Sequence, residues 1–157
     1  MQSAQALALR SLLESQQIAS LATLHKGEPA ISMVPYALLP RGEGFIVHVS
    51  RLATHTADML AHPSVSLLVV ATLGSAASPQ ELQRASVLGF ARQCAVDSPA
   101  YSPARAIYVS RFPQSEEMFS FSDFSLFIVE PRSVRFVAGF GQAASLLAEE
   151  FSSIMST

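Results

Sequence analysis

The chain has 157 residues, a length that fits one domain spanning residues 1–157. Half of those residues are hydrophobic and only 14% are charged, which excludes a disordered chain and leaves an apolar surplus best buried in a partner, most simply a second copy. A net charge of -2 argues against nucleic acid as the main partner, because a strongly basic face is missing.

In chain order, residues 4–16 carry apolar positions at helical spacing, with Ala6, Leu9, Leu12 and Leu13 on one side. Ile18 to Leu24 alternates as a strand, and His25-Lys26-Gly27-Glu28 is a turn. Residues 30–39 form a second strand with Pro35 at an edge or bulge. Arg41-Gly42-Glu43-Gly44 turns the chain into a third strand, Phe45 to Val49. Ser50 is placed to cap a short helix that Pro63 ends. Ser64 to Leu73 reads as a β-branched strand, residues 74–83 as a loop, and Arg84 to Val96 as a long strand with Gly89 at a bulge. Residues 99–111 are helical, with a further helical turn over 114–119. Leu126 to Glu130 and Ser133 to Ala138 are two strands joined by Pro131-Arg132, and residues 142–155 close the chain as a helix. About six or seven antiparallel strands with short connections, over roughly 18–140, predict a mainly β chain with helices, a small barrel with helical decoration. A doubly wound sheet is excluded, because the early connections are too short for crossover helices.

Several local patterns lack the context that would make them sites. Gly139-Phe140-Gly141-Gln142-Ala143-Ala144 has the form of a dinucleotide fingerprint, but too few residues follow for the second strand and its ribose-binding acid. His48, His55 and His62 recur every seven residues, and seven helical residues rise about 10.5 Å, too far for one metal ion. No G-x-S-x-G elbow accompanies the many serines. Cys94 is the only cysteine, which excludes an intrachain disulfide and a cysteine-based zinc cluster. No apolar run approaches the ~18 residues of a membrane-spanning helix, and no basic segment precedes an apolar one at the N-terminus. The expectation is a cytoplasmic protein with no membrane partner.

The informative stretch is residues 45–70, which reads strand, Ser50-Arg51, helix, Pro63, strand. Ser50, Thr54 and Thr56 supply hydroxyls near the helix N-terminus, beside Arg51 and His55. Outward-pointing amides and the positive dipole end make that place suitable for a phosphate, and Arg51 can add a charge-assisted bond.

This arrangement resembles the pyridoxamine 5′-phosphate oxidase-like superfamily of FMN-binding split barrels. Ile18-Ala19-Ser20-Leu21-Ala22-Thr23 is similar to the first hairpin of that family, and Ile31-Ser32-Met33-Val34-Pro35-Tyr36 to its second strand. His62-Pro63-Ser64-Val65-Ser66-Leu67 is similar to the segment after its phosphate-binding helix. Within the superfamily, Ser50-Arg51-Leu52-Ala53-Thr54-His55-Thr56, the long strand from Arg84, and Arg135-Phe136-Val137-Ala138-Gly139-Phe140-Gly141-Gln142-Ala143 most resemble the HugZ-type haem-utilisation branch. The resemblance implies a homodimer with two sites at the subunit interface, FMN as cofactor and a redox step on a small-molecule substrate. Haem is the alternative ligand that the HugZ-type branch implies, and a barrel without cofactor is a third possibility. Carried over by position, Met33, Val34 and Pro35 would pass the flavin ring. Ser50, Arg51, Thr54, His55 and Thr56 would surround the phosphate, and Arg84 would reach in from the second subunit. No residue stands out as an obligatory acid, base or nucleophile, so catalytic residues are not assigned.

Overall fold

A computed structural model describes residues 3–156. Helix α1 (Ser3–Ser15) leads into a hairpin of β1 (Ile18–His25) and β2 (Glu28–Pro35). The two-residue connection has positive φ at both Lys26 (52°) and Gly27 (82°), the handedness that matches the twist of the flanking strands. The chain continues through β3 (Ala37–Leu38), β4 (Phe45–Ser50), α2 (Thr54–Ala61), β5 (Ser64–Val70), β6 (Arg84–Cys94) and α3 (Tyr101–Arg111). It ends with β7 (Phe124–Gly139), β8 (Gln142–Leu147) and α4 (Ala148–Met155). All pairings are antiparallel, in the order β2-β1-β5-β6-β7-β4-β3, with β8 on the far half of β7. This is the small barrel with helical decoration that the strand spacing predicts, in the split form that the family resemblance implies.

Three expected elements differ. Residues 142–147 pair with β7 as a strand, so the closing helix begins only at Ala148. The edge of β7 offers ladder partners that outweigh the helical propensity of Gln-Ala-Ala-Ser-Leu-Leu. The two strands expected on either side of Pro131-Arg132 are one strand of sixteen residues. Pro131 is accommodated because it faces Gly89 at a register shift between Leu88 and Gly89. Gly89 is itself required there, since a Cβ would lie 2.6 Å from the Glu130 carbonyl oxygen. The strand expected over 30–39 breaks at Tyr36, whose amide bonds to the Gln17 carbonyl (3.0 Å) and whose hydroxyl donates to the Leu13 carbonyl (2.7 Å).

The main core fills the barrel. Leu9, Leu12 and Leu13 of α1 close one end against Leu21, Leu67, Val87, Phe136 and the α4 residue Phe151. Strand β4 is buried along both faces, which is why its sequence is an apolar run without alternation. Phe45, Val47 and Val49 enter the main core, while Ile46 joins Tyr108, Phe112 and Ala104 of α3 in a second cluster. His48 sits beside this cluster, stacked on Phe119 at 3.8 Å between ring centroids, with Phe124 and Tyr108 around it.

The opposite faces of β1, β2, β5 and β6 are uncovered. Cross-strand register aligns Met33, Ser20, Leu68 and Ser86 in one row, and Ile31, Ala22, Ser66 and Leu88 in the next. Ile18, Ile31, Met33, Leu68, Val70, Leu88 and Phe90 are all exposed on this side.

His48 tests the second cluster. Its Nδ1 is buried without a hydrogen-bond partner, and burial, aided by nearby Arg105, lowers its pKa to about 4. The folded state therefore binds fewer protons than the unfolded one between that value and the ordinary ~6.5. Stability from a neutral His48 is full above about pH 6.5 and is lost as pH falls toward 4. His48→Phe keeps the stacking and removes the orphan nitrogen. Thermal unfolding should show the variant more stable by roughly 1 kcal/mol at pH 7, with a larger gain at pH 5. A less stable variant at both pH values would show that the imidazole is needed.

Candidate functional site

The site is built where β4 ends and α2 begins. Ser50 donates from Oγ to Asp123 Oδ2 (2.8 Å) and accepts the Leu52 amide (3.1 Å). Its carbonyl accepts the Thr56 hydroxyl (2.6 Å) and the Ala53 amide (3.1 Å). The Arg51 amide donates to the Asp123 carbonyl, and its guanidinium to the Ser122 carbonyl at 3.0 Å. The strand-to-helix turn is thus latched onto the loop before β7. The N-cap is Ala53, not the expected Ser50, because the Ser50 hydroxyl is engaged with Asp123 and Leu52. Ala53 supplies no side-chain cap, and while the Thr56 amide donates to the Ala53 carbonyl (3.1 Å), the amides of Thr54 and His55 remain available to a ligand.

His55 and Asp58 are three residues apart and share the helix face turned to the β1–β2 hairpin. Ser32 of β2 lies 3.0 Å from His55, Oγ to Nδ1. Asp58 is buried, accepting the Thr23 hydroxyl on Oδ2 (3.0 Å) and facing His25 Nδ1 from Oδ1 (2.8 Å). Those hydrogen bonds, His25 first, hold the Asp58 carboxyl below the usual carboxylate range against the opposing effect of burial. Burial lowers the His55 pKa, partly offset by the Asp58 charge. Thr23, Ala30, Ile31, Ser32, Thr54, His55 and Asp58 line a cavity of about 250 Å³. It offers hydroxyls, an imidazole and helix amides around one fixed negative charge.

The structure gathers Ser50, Arg51, Thr54, His55 and Thr56 at one helix end, but divides their roles. Thr54 and His55 face the cavity, while Ser50 and Thr56 bond within the turn and Arg51 reaches the 122–123 loop. On β2, Met33 points outward, 59% exposed, and Val34 is buried in the barrel. Pro35 is exposed at the strand end. Arg84 lies opposite Val70, whereas α2 leads into Ser64 at the other end of the same strand pair. Six strand residues separate them by roughly 20 Å, so Arg84 does not join this cavity within one chain. Its guanidinium donates to the carbonyls of Gln80 (3.1 Å) and Leu82 (3.0 Å).

Sequence reasoning did not single out Thr23, His25, Ser32 or Asp58 as site residues. One signal was present: Thr23 continues the inward phase of Ala19 and Leu21, where a polar residue needs a buried partner. Among the described residues, no group of three or more His, Cys, Asp or Glu side chains forms a metal cage.

The chain is similar to known proteins in sequence and in fold. The sequence model of the family described as Pyridoxamine 5′-phosphate oxidase matches residues 7–138. The chloroplastic haem oxygenase HOZ of Arabidopsis thaliana is 31% identical over 138 residues, 86% of this chain and 40% of that protein. Haem oxygenase HutZ of Vibrio cholerae is 26% identical over 144 residues, 90% of this chain and 81% of HutZ. The solved haem-binding protein from Mycobacterium smegmatis superposes with a TM-score of 0.85 at 27% identity, over 95% of this chain and 60% of that one. The chain therefore spans less than two thirds of the Arabidopsis and mycobacterial proteins.

Anion binding at α2 should depend on pH through His55. Lowering the pH adds a proton to the imidazole beside the helix N-terminus, while Asp58 stays ionised. Formate is a clean probe because it is a singly charged carboxylate whose charge is constant over the range. It should bind several-fold more tightly near pH 5.5 than near pH 8, and His55→Gln should flatten the profile. Equal slopes in both proteins would remove His55 from the site.

Proposed function

The chain belongs to the pyridoxamine 5′-phosphate oxidase family, in its HugZ-like branch, and on that premise we propose that it binds haem as a homodimeric split barrel. The observation that carries this reading is Asp58. Its ionised carboxylate stands on the wall of the cavity, and the nearest arginine of the turn, Arg51, is tied to a carbonyl outside it. A dianionic phosphate would meet that fixed negative charge with no cation facing it from the cavity lining. A singly charged carboxylate, such as a haem propionate, suits the remaining donors better: the α2 amides, Thr54 and Ser32. Three relatives whose names specify haem support the same choice.

In this reading Thr54, Ser32 and the first-turn amides hold a propionate, and His55 adjusts the local charge. The latch of Ser50 and Arg51 on residues 122–123 keeps the helix end in place. Bound haem would supply the iron and the oxidisable macrocycle. The reaction class is oxidative attack on haem, the activity named for the Arabidopsis and Vibrio relatives. The exposed apolar rows of β1, β2, β5 and β6 are the surface for the second copy, which accounts for the low charge content. Arg84, remote from α2 of its own chain, is a residue for the partner's site. No membrane partner is part of this reading: among the described residues, no helix is long and apolar enough to cross a membrane. The buried, unpaired Cys94 is consistent with a reducing cytoplasmic setting.

A second reading keeps FMN as cofactor of an oxidoreductase acting on an unidentified small molecule. The uncapped N-terminus of α2 favours it, because such amides suit a ribityl phosphate. Competition separates the two. Protein loaded with haemin, gel-filtered and challenged with excess FMN should keep its Soret band. Replacement by flavin absorption would transfer the conclusion to FMN.

Dimerisation has its own test. Leu88→Asp places a charge in the middle of the uncovered sheet face. Light scattering should show a dimer for the wild-type chain and a folded monomer for the variant. A wild-type monomer would contradict the assignment of this face.

A further inference from the structure

We propose that His25 is the axial ligand that this chain offers to haem iron; the inference rests on the haem reading above. The chain has four histidines, His25, His48, His55 and His62. His48 is enclosed by Phe119, Phe124 and Tyr108, at 8% exposure, where no macrocycle can approach it. The His55 Nδ1 is engaged by Ser32, and the ring belongs to the helix end that receives an anionic group. His62 is exposed at the C-cap of α2, and nothing orients its ring.

His25 combines orientation with access. Its Nδ1 lies 2.8 Å from Asp58 Oδ1, and the side chains are 43% and 6% exposed respectively. Asp58 is held in turn by the Thr23 hydroxyl at 3.0 Å. An ionised carboxylate fixes the imidazole proton on Nδ1, which leaves the lone pair on Nε2. That nitrogen has no protein partner among the described residues. A histidine that donates one ring N–H to a carboxylate and presents the other nitrogen has the arrangement of a metal-binding imidazole, its ring orientation fixed by the carboxylate. His25 also adjoins the proposed propionate site, because Asp58 and Thr23 both line that cavity.

The competing explanation is that the His25–Asp58 pair only pins α2 to β1. His25→Gln separates the two, because the amide can still donate to Asp58 but offers iron no nitrogen lone pair. The readout is the iron–histidine stretching band in the resonance Raman spectrum of the ferrous, haemin-reconstituted full chain. The wild-type protein should show the band, and His25→Gln should lose it with haemin affinity reduced at least about tenfold. His25→Ala should lose it as well and recover it with added imidazole, while His62→Ala should retain it. Asp58→Asn should move it to lower frequency, since a neutral amide polarises the imidazole less. A band that persists in His25→Gln, or is lost in His62→Ala, overturns the assignment of His25 and leaves haem binding standing. Wild-type protein that binds haemin without the band has the same consequence. Wild-type protein that takes up no haemin overturns both the ligand assignment and the haem reading.

Discussion

One buried carboxylate governs the site. Helix α2 has eight residues, well short of the ~12–15 that hold a helix on its own. Its position therefore depends on tertiary ties: Met59 in the core, Thr56 on the Ser50 carbonyl, and Asp58 against Thr23 and His25. Asp58 is the tie with chemical consequences. Removing either donor would leave a buried charge undercompensated, so hairpin and helix are fixed relative to each other. The same charge is a wall of the cavity and disfavours a strongly anionic ligand. One side chain thus both anchors the helix and sets the charge of the cavity wall.

The barrel positions that site by using its two kinds of strand differently. Strand β4 is buried on both sides and cannot shift without disturbing two apolar clusters. It delivers Ser50 to a defined place beside Asp123. Strands β1, β2, β5 and β6 bury only one face, and their outer rows of Ile31, Met33, Leu68 and Leu88 are left exposed. Precise placement and open surface thus come from different strands of a single sheet.

Much of the fold was legible because it is written in local periodicity and turns. The positive-φ pair Lys26-Gly27, the Gly89 bulge and the unalternating run of β4 each have a short-range signature. What was not legible depended on distant partners. Ser50 looks like an N-cap until Asp123, seventy-three residues later, engages its hydroxyl. Gln142 to Leu147 has helix-forming residues, yet a free edge of β7 makes it a strand. The helix end carrying Thr54 and His55 was found from sequence, because hydroxyls, imidazole and a helix start are adjacent there. Ser32 and the Thr23–Asp58–His25 chain were not, because they meet only when β1, β2 and α2 are packed together.

The central claim is that the N-terminus of α2, beside Asp58, receives the carboxylate of a haem. A crystal structure of the haemin-loaded protein tests it most directly. The account predicts a propionate oxygen within hydrogen-bond distance of the Thr54 or His55 amide, with Asp58 still bonded to Thr23. A haem whose propionates lie away from α2, or an α2 displaced from the β1–β2 hairpin in the loaded protein, would contradict it.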